Sequence, residues 1–260
     1  MSTARRYLAP VAVILVLLGA WELAARWDWI SNALNIEDFL VPAPSDIAKS
    51  LWEDRSLLGS NAWVTLKEVV FGFAIAAVAG IGFALLIHLS ETARRAVYPL
   101  LVASQTIPIV ILAPILVVWF GFGLTPKLVI VALICFFPIT VNMLDGLRSV
   151  DPDLTKMLRS LGARRLQRLW RAEIPTALPY AFSGARVAIT VSVIGAVFAE
   201  YVGSSEGLGH LINQAQAQLL TARSFAAVVV LSAMAILLFA LVSLIERKVV
   251  TWDSRELTRS

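Results

Sequence analysis

Charged residues are scarce in this chain. They make up 15% of its 260 residues, against 58% hydrophobic residues, whereas an average soluble domain has roughly 25% charged residues. Four runs contain no charged residue at all, namely 69–87, 96–126, 128–144 and 225–245. A helix needs roughly 20 apolar residues to cross about 30 Å of hydrocarbon. The scarcity of charge therefore excludes an ordinary soluble protein and predicts an all-α integral membrane protein.

Cysteine and histidine are nearly absent as well. Cys135 is the only cysteine and lies inside an apolar run, which excludes a disulfide within the chain. The two histidines, His88 and His210, are far apart in sequence and in the expected topology. We therefore expect no metal site.

The chain lacks the motifs of nucleotide hydrolysis and of common enzymes. None of its lysines follows a glycine, so no G-x-x-x-x-G-K-[ST] phosphate loop occurs. H-E-x-x-H, a nucleophile elbow and paired carboxylates within the apolar runs are also missing. A membrane-embedded enzyme that uses Glu200 or His88 is the alternative, but these absences favour a protein without catalytic activity of its own.

The apolar runs predict six membrane spans in a single domain, residues 1–260. The predicted spans are 7–25, 64–87, 98–120, 127–147, 180–201 and 225–246. Arg5 and Arg6 before the first apolar run also suit a signal peptide. Because no small-x-small cleavage site follows that run, we expect the first span to remain attached.

Lys and Arg are distributed unequally between the predicted loops. Fifteen of the 22 lie in the segments that are cytoplasmic if the N-terminus is inside, six lie in the outer segments, and Arg186 lies in a span. This asymmetry fits the positive-inside rule with both termini in the cytoplasm. The net charge of +4 is therefore a topology signal, and we expect no nucleic-acid partner.

The longest cytoplasmic segment, residues 148–179, has the pattern of a helix–turn–helix. One apolar face is predicted by helical spacing, and it carries Leu154, Met157, Leu158 and Leu161. Gly162 follows where a helix end needs a residue with positive φ, and Pro175 and Pro179 are expected to end the second helix. A folded, docking-shaped element on the cytoplasmic side indicates a soluble partner.

Polar residues interrupt the predicted spans. Prolines and polar side chains in membrane helices persist where they are buried in protein or face water. The candidates for a solute path are Gln105, Thr106, Pro108, Asn142, Arg186 and Glu200. The alternative is that these groups only hydrogen-bond neighbouring helices.

The helix–turn–helix carries a recognisable motif. Leu161-Gly162-Ala163, Ile174-Pro175 and Leu178-Pro179 resemble the cytoplasmic loop of binding-protein-dependent ATP-binding-cassette (ABC) importer permeases. In that family the motif is Glu-Ala-Ala, three residues, then Gly. Here Lys156-Met157-Leu158 stand in place of Glu-Ala-Ala, which removes the carboxylate of the motif. The similarity also covers 104–108, 114–123 and 199–209, and so nearly the whole chain.

The resemblance implies a fold, partners and an energy source. It implies the six-span, type I importer (MetI-like) permease fold with a cytoplasmic coupling helix-turn-helix, in the bacterial inner membrane and surrounded by lipid. It also implies a permease homodimer, two ATPase subunits that bind ATP, and an extracytoplasmic solute-binding protein; the chain itself would hold no cofactor. The residues implied in ATPase coupling are Leu154, Met157, Leu158, Leu161, Gly162, Ala163, Arg164, Pro175 and Pro179.

The branch of the family bears on the solute. The chain is similar to the permeases for nitrate, sulfonate, taurine, the pyrimidine precursor of thiamine, and riboflavin. Ser104-Gln-Thr-Ile-Pro108 and Trp119-Phe-Gly-Phe-Gly123 favour the vitamin-precursor members. The alternatives are the anion permeases and a secondary transporter, although the halves show no evident repeat and the spans hold few charges to carry coupling ions.

Overall fold

The fold is all-helical in the part of the chain that the computed structural model describes, residues 3–27, 29, 37 and 40–252. Eleven α-helices and one π-helical turn occur there. In chain order the α-helices are α1 Thr3–Arg26, α2 Pro44–Glu53, α3 Arg55–Leu89, α4 Glu91–Ser104, α5 Ile109–Phe120, α6 Leu124–Arg148, α7 Pro152–Ser160, α8 Arg165–Arg168, α9 Ile174–Gly203, α10 Leu208–Ala217 and α11 Thr221–Val249. The π-helical turn, Leu169–Glu173, joins α8 to α9.

Within these described residues, four stretches of helix are long and apolar enough to cross a membrane. They are Arg55–Leu89, Leu124–Arg148, Arg165–Gly203 and Thr221–Val249. Each contains one predicted span and extends beyond it, because backbone hydrogen bonds continue the helix past the end of the apolar run. Helix α1 contains the predicted first span. The position of every span relative to a bilayer stays a prediction.

The predicted third span, 98–120, is divided into two helices. Helix α4 ends at Ser104, three turn residues follow, and α5 begins after Pro108. The backbone amides of Gln105 and Thr106 donate to carbonyls three residues back, at 3.1 and 3.0 Å, which is the tighter turn of a helix that is ending. Pro108 has no N–H to continue the ladder and restricts the residue before it.

The prediction that Pro175 and Pro179 end the second helix of the loop is wrong. Helical structure runs without a break from Arg165 to Gly203, with Pro179 inside α9 and Pro175 in its first turn. In the π-helical turn the amide of Ile174 donates to the carbonyl of Leu169, five residues back. This wider turn gives the Pro175 ring room next to the carbonyls that it would meet in a regular α-helix.

The chain divides into two compact units. The first comprises 1–64 and 206–232, and polar contacts fix its helices. Arg223 binds the Asp54 carboxylate through two nitrogens, at 2.8 and 2.9 Å. The Asn61 side chain accepts a hydrogen bond from the Gly207 amide at 2.7 Å, which ties the start of α10 to α3.

The second unit comprises 65–205 and 233–260 and is organised around the packing of α6 on α9. Gly184 of α9 lies against α6 so closely that a Cβ there would come within 2.6 Å of the Pro138 carbonyl oxygen. Gly146 of α6 likewise lies against the backbone of Ala177. An apolar cluster that includes Ile87, Leu147 and Leu169 joins this helix pair to the end of α3 and to the π-helical turn.

Candidate functional site

The loop between α6 and α9 folds into a compact element that we call the knob, residues 151–168. Its first helix, α7, begins at Asp151, whose carboxylate accepts a hydrogen bond from the Asp153 amide at 2.8 Å. Pro152 occupies the first turn, where its missing N–H costs nothing. These local signals define the start of the knob.

The turn at Gly162 has the conformation that the sequence predicts. Its φ is +78°, and its amide donates to the Arg159 carbonyl at 2.9 Å. The next amide, that of Ala163, donates to the Leu158 carbonyl, also at 2.9 Å. This pair of bonds is the Schellman motif, which satisfies the last carbonyls of a helix and reverses the chain.

The second half of the knob starts from the turn. The Arg164 amide donates to the Gln167 side-chain oxygen at 2.8 Å, and this bond caps α8. The Arg168 guanidinium donates to the Ala163 carbonyl at 3.2 Å. Both bonds lie within residues 163–168, so local hydrogen bonds fix the second half of the knob at the turn.

The apolar face of the knob is uncovered. Met157 is 52% exposed and Leu161 is 74% exposed. Leu154, on the same face, is also exposed, and Leu158 is half-buried. Contiguous exposed apolar side chains on a folded element are typical of a binding surface.

A cleft of about 380 Å³ lies beside this face. Leu154, Leu158, Pro175 and Pro179 all border it, together with Trp252 near the other end of the chain. The fold thus brings four of the predicted coupling residues around one depression. Ala163 is half-buried and Arg164 is exposed at the turn.

Two polar contacts tie this region to the end of α3. The His88 Nε2 lies 2.8 Å from the Glu173 Oε2, and both side chains are mostly buried. The Arg165 guanidinium donates to the Leu89 carbonyl at 2.6 Å. Sequence reasoning did not find these contacts, since their partners are 85 and 76 residues apart and no local pattern joins them.

Three of the six candidate path residues lie at the break between α4 and α5. Gln105, Thr106 and Pro108 are all exposed. The Thr106 hydroxyl donates to the Ala103 carbonyl at 2.8 Å, and the Gln105 side-chain amide lies 3.4 Å from the Ser104 hydroxyl. The break therefore presents neutral polar groups on an otherwise apolar segment.

The other three candidates have partners within the chain. The Asn142 side-chain amide donates to the Pro138 carbonyl at 2.8 Å, and Gly184 packs against Asn142. Arg186 forms an ion pair with Glu246 at 3.0 Å. Glu200 is fully buried and accepts a hydrogen bond from the Thr65 hydroxyl at 2.6 Å. These three contacts do not involve the residues at the break.

A buried charge pair lies near Glu200 and was not found from the sequence. The Lys127 ammonium donates to the Glu68 carboxylate and to the Ser204 hydroxyl, each at 2.6 Å. Lys127 is 6% exposed and Glu68 is 1% exposed. The charge count treated Lys127 as an ordinary loop residue; the available signal was that Glu68 and Lys127 each directly precede an apolar run.

Comparison with known proteins places the chain among transport permeases. Residues 72–251 match the family described as the inner membrane component of binding-protein-dependent transport systems. The formylaminopyrimidine transport permease protein ThiX of Halalkalibacterium halodurans is 35% identical over 98% of this chain and 100% of its own length. The riboflavin transport system permease protein RibX of Chloroflexus aurantiacus is 36% identical, over 94% of this chain and 90% of its own length.

A solved structure shows the same fold. A chain of the MetNI methionine ABC transporter in an inward-facing conformation superposes with a TM-score of 0.63 and 20% identity. The match covers 76% of this chain and 97% of that chain, so the two share a fold. The uncovered apolar knob, the long apolar helices and these matches agree, and the chain belongs to the family of inner-membrane permease components of binding-protein-dependent ABC importers.

Proposed function

We propose that this chain forms, as a homodimer in the bacterial inner membrane, the solute path of an importer that is powered by two separate ATPase subunits. The observation that carries the proposal is the uncovered apolar face of the knob. The apolar side chains share one face of the knob. This face lies on the predicted cytoplasmic side, where a soluble ATPase would cover it. The chain has no phosphate loop, so ATP would bind to that partner.

The proposed coupling residues have three roles. Leu154, Met157, Leu158 and Leu161 supply the apolar contact, and the turn at Gly162 sets the angle between the halves of the knob. Ala163, Arg164, Pro175 and Pro179 form its border. Closure of the ATPase pair would move the knob as a rigid body and alternate the access of the path between the two sides, as in other transporters that rock around a fixed site.

The proposed solute is a small heterocyclic vitamin precursor, such as a pyrimidine precursor of thiamine, or riboflavin. ThiX and RibX, both similar over nearly the whole chain, are named for solutes of this class. Two ion pairs support it: Lys127 and Arg186 each have a carboxylate partner. The exposed break then offers neutral hydrogen-bonding groups, which suit a heterocycle better than nitrate or a sulfonate.

Reconstitution tests both parts of the proposal, the ATPase-driven import and the class of solute. The chain would be co-expressed with the ATPase and the binding protein of its importer, purified, and placed in proteoliposomes with ATP. We expect the ATPase to co-purify and the vesicles to take up formylaminopyrimidine or riboflavin but not taurine. Uptake of taurine or nitrate instead would replace the solute class, and failure to recover an ATPase would overturn the proposal itself.

A further inference from the structure

The knob is anchored at the inner end of one long helix. Two side chains from the α8–α9 region reach the last turn of α3: Arg165 binds the Leu89 carbonyl at 2.6 Å, and Glu173 binds His88 at 2.8 Å. Leu169, between them in sequence, is 4% exposed and packs in the same cluster as Ile87. Three contacts therefore join one helix end to a stretch of nine residues.

The chemistry of these contacts suits a firm joint. The last carbonyls of a helix have no partner within the helix and carry the negative end of its dipole. The Arg165 guanidinium therefore supplies both a hydrogen-bond donor and a positive charge at the Leu89 carbonyl. The His88 and Glu173 side chains are 19% and 14% exposed. A hydrogen bond to a carboxylate in such a partly desolvated position is stronger than one at the surface.

The joint spans the irregular part of the helix. Arg165 precedes the π-helical turn and Glu173 ends it. The hydrogen bonds of a π-helical turn join residues five apart, whereas those of the α-helix on either side join residues four apart. Such turns are frequent at functional sites. One contact before this turn and one at its last residue therefore join the end of α3 both to the knob and to the start of α9.

From this placement we infer that His88 and Glu173 are positioning residues that transmit movement of the knob to α3. The inference rests on the proposed docking of an ATPase on the knob. When the docked ATPase moves the knob, the His88–Glu173 bond pulls the inner end of α3 with it. Without the bond, the knob stays docked but α3 follows less closely, so ATP is hydrolysed with less transport.

The test compares variants in the complete transporter in proteoliposomes. In the double variant His88→Ala/Glu173→Ala both polar partners are removed, so no buried group is left unpaired and folding should persist. His88→Gln keeps a donor near Glu173 and is the conservative variant. Glu91→Gln is the matched control, because Glu91 lies three residues past His88 and pairs with Arg94 on the exposed surface.

Three quantities are measured: the ATPase that co-purifies, the rate of ATP hydrolysis, and the solute taken up per ATP. We expect the double variant to retain its ATPase and its hydrolysis while the solute taken up per ATP falls about tenfold, the effect of losing a hydrogen bond to a charged group. His88→Gln should recover most of the loss, and Glu91→Gln should equal the native chain.

Two results would overturn the inference. A native amount of solute per ATP in the double variant would mean that the bond transmits nothing. Loss of the ATPase from the double variant alone would mean that the bond shapes the docking surface instead. Failure of the native chain to bind an ATPase is a different result, since it refutes the proposed function on which the inference rests.

Discussion

Among single residues, the buried Lys127–Glu68 ion pair is expected to stabilise the folded chain. Replacing Lys127 by Met leaves the Glu68 carboxylate buried without its cation, which we expect to lower the free energy of unfolding by about 3–5 kcal/mol. The double variant Lys127→Met/Glu68→Leu removes both charges and should recover most of that loss. Thermal unfolding of the chain in lipid nanodiscs, followed by tryptophan fluorescence, measures both.

Lys67→Met is the matched control, since Lys67 is the exposed neighbour of Glu68 on the same helix. It should leave the unfolding temperature near the native value. If Lys127→Met behaves like this control, the pair does not hold α3 to α6.

A second residue-scale prediction concerns pH. The two hydrogen bonds from Arg223 hold the pKa of the Asp54 carboxyl below its ordinary value of 3.8. A group whose pKa is lower in the folded state contributes stability above its ordinary pKa and loses that contribution as the pH falls through the lowered value. Asp54→Asn should therefore be less stable than the native chain at pH 7, with the difference shrinking as the pH falls below 3.8.

The measurement is the unfolding temperature of both proteins across this pH range. Glu53→Gln, at the preceding exposed residue, is the control. Its difference in unfolding temperature from the native chain should not shrink as the pH falls. A gap that stays constant at low pH would assign the effect of Asp54→Asn to packing and not to the ion pair.

At the element scale, the knob depends on its turn. A Cβ added at Gly162 would meet no atom within 4 Å, so the cost of substitution comes from the positive φ alone. Asn tolerates this conformation best, Ala costs roughly 1 kcal/mol, and the β-branched Val costs more. Binding of the ATPase in a pull-down should therefore fall in the order native, Gly162→Asn, Gly162→Ala, Gly162→Val.

Gly59→Val is the control for this series. Gly59 is also surrounded by open space but lies in the first turns of α3 without a positive φ. Equal binding by all Gly162 variants would show that the knob does not need its reversal.

The break between α4 and α5 makes the other prediction at this scale. After replacement of Cys135 by Ala, cysteines at Gln105 and Thr106 should react quickly with a water-soluble thiol reagent in assembled transporters, because both positions are exposed at the break. A cysteine at Asn142 should react slowly, because that side chain packs against Gly184. If the cysteine at Asn142 reacts quickly and those at the break do not react, α6 lines the solute path and the break does not.

The elements differ in how far the sequence predicts them. Gly162 was predictable because a helix reversal obeys a local rule, and its φ confirms it. Pro175 was not, because a local rule says that proline ends a helix, whereas the π-helical turn before it absorbs the clash. No local rule pairs Lys127 with Glu68 or His88 with Glu173, since only the fold brings together residues that are 59 and 85 positions apart.

At the scale of the whole molecule, the helices bear on topology. Four long apolar stretches are present in the described residues, and α1 and the broken α4–α5 segment would supply the two remaining spans of the six-span prediction. An even number of spans places both termini on one side. The unequal distribution of Lys and Arg, fifteen against six among 22, predicts that this side, and the knob with it, is cytoplasmic.

Reporter fusions test this arrangement. Green fluorescent protein fused after Ser260 should fluoresce, because it works on the cytoplasmic side of the membrane. Alkaline phosphatase inserted within residues 204–218 should be active, because it works on the outer side. A cysteine at Arg159, exposed on the knob, should be blocked by an impermeant reagent only in inside-out vesicles, and one at Gln218 only in intact cells. The six-span prediction puts one span, 225–246, between the two fusion sites. If both fusions report the same side, an even number of spans or none separates them, and the six-span topology is wrong even though the knob and its helices keep their local structure.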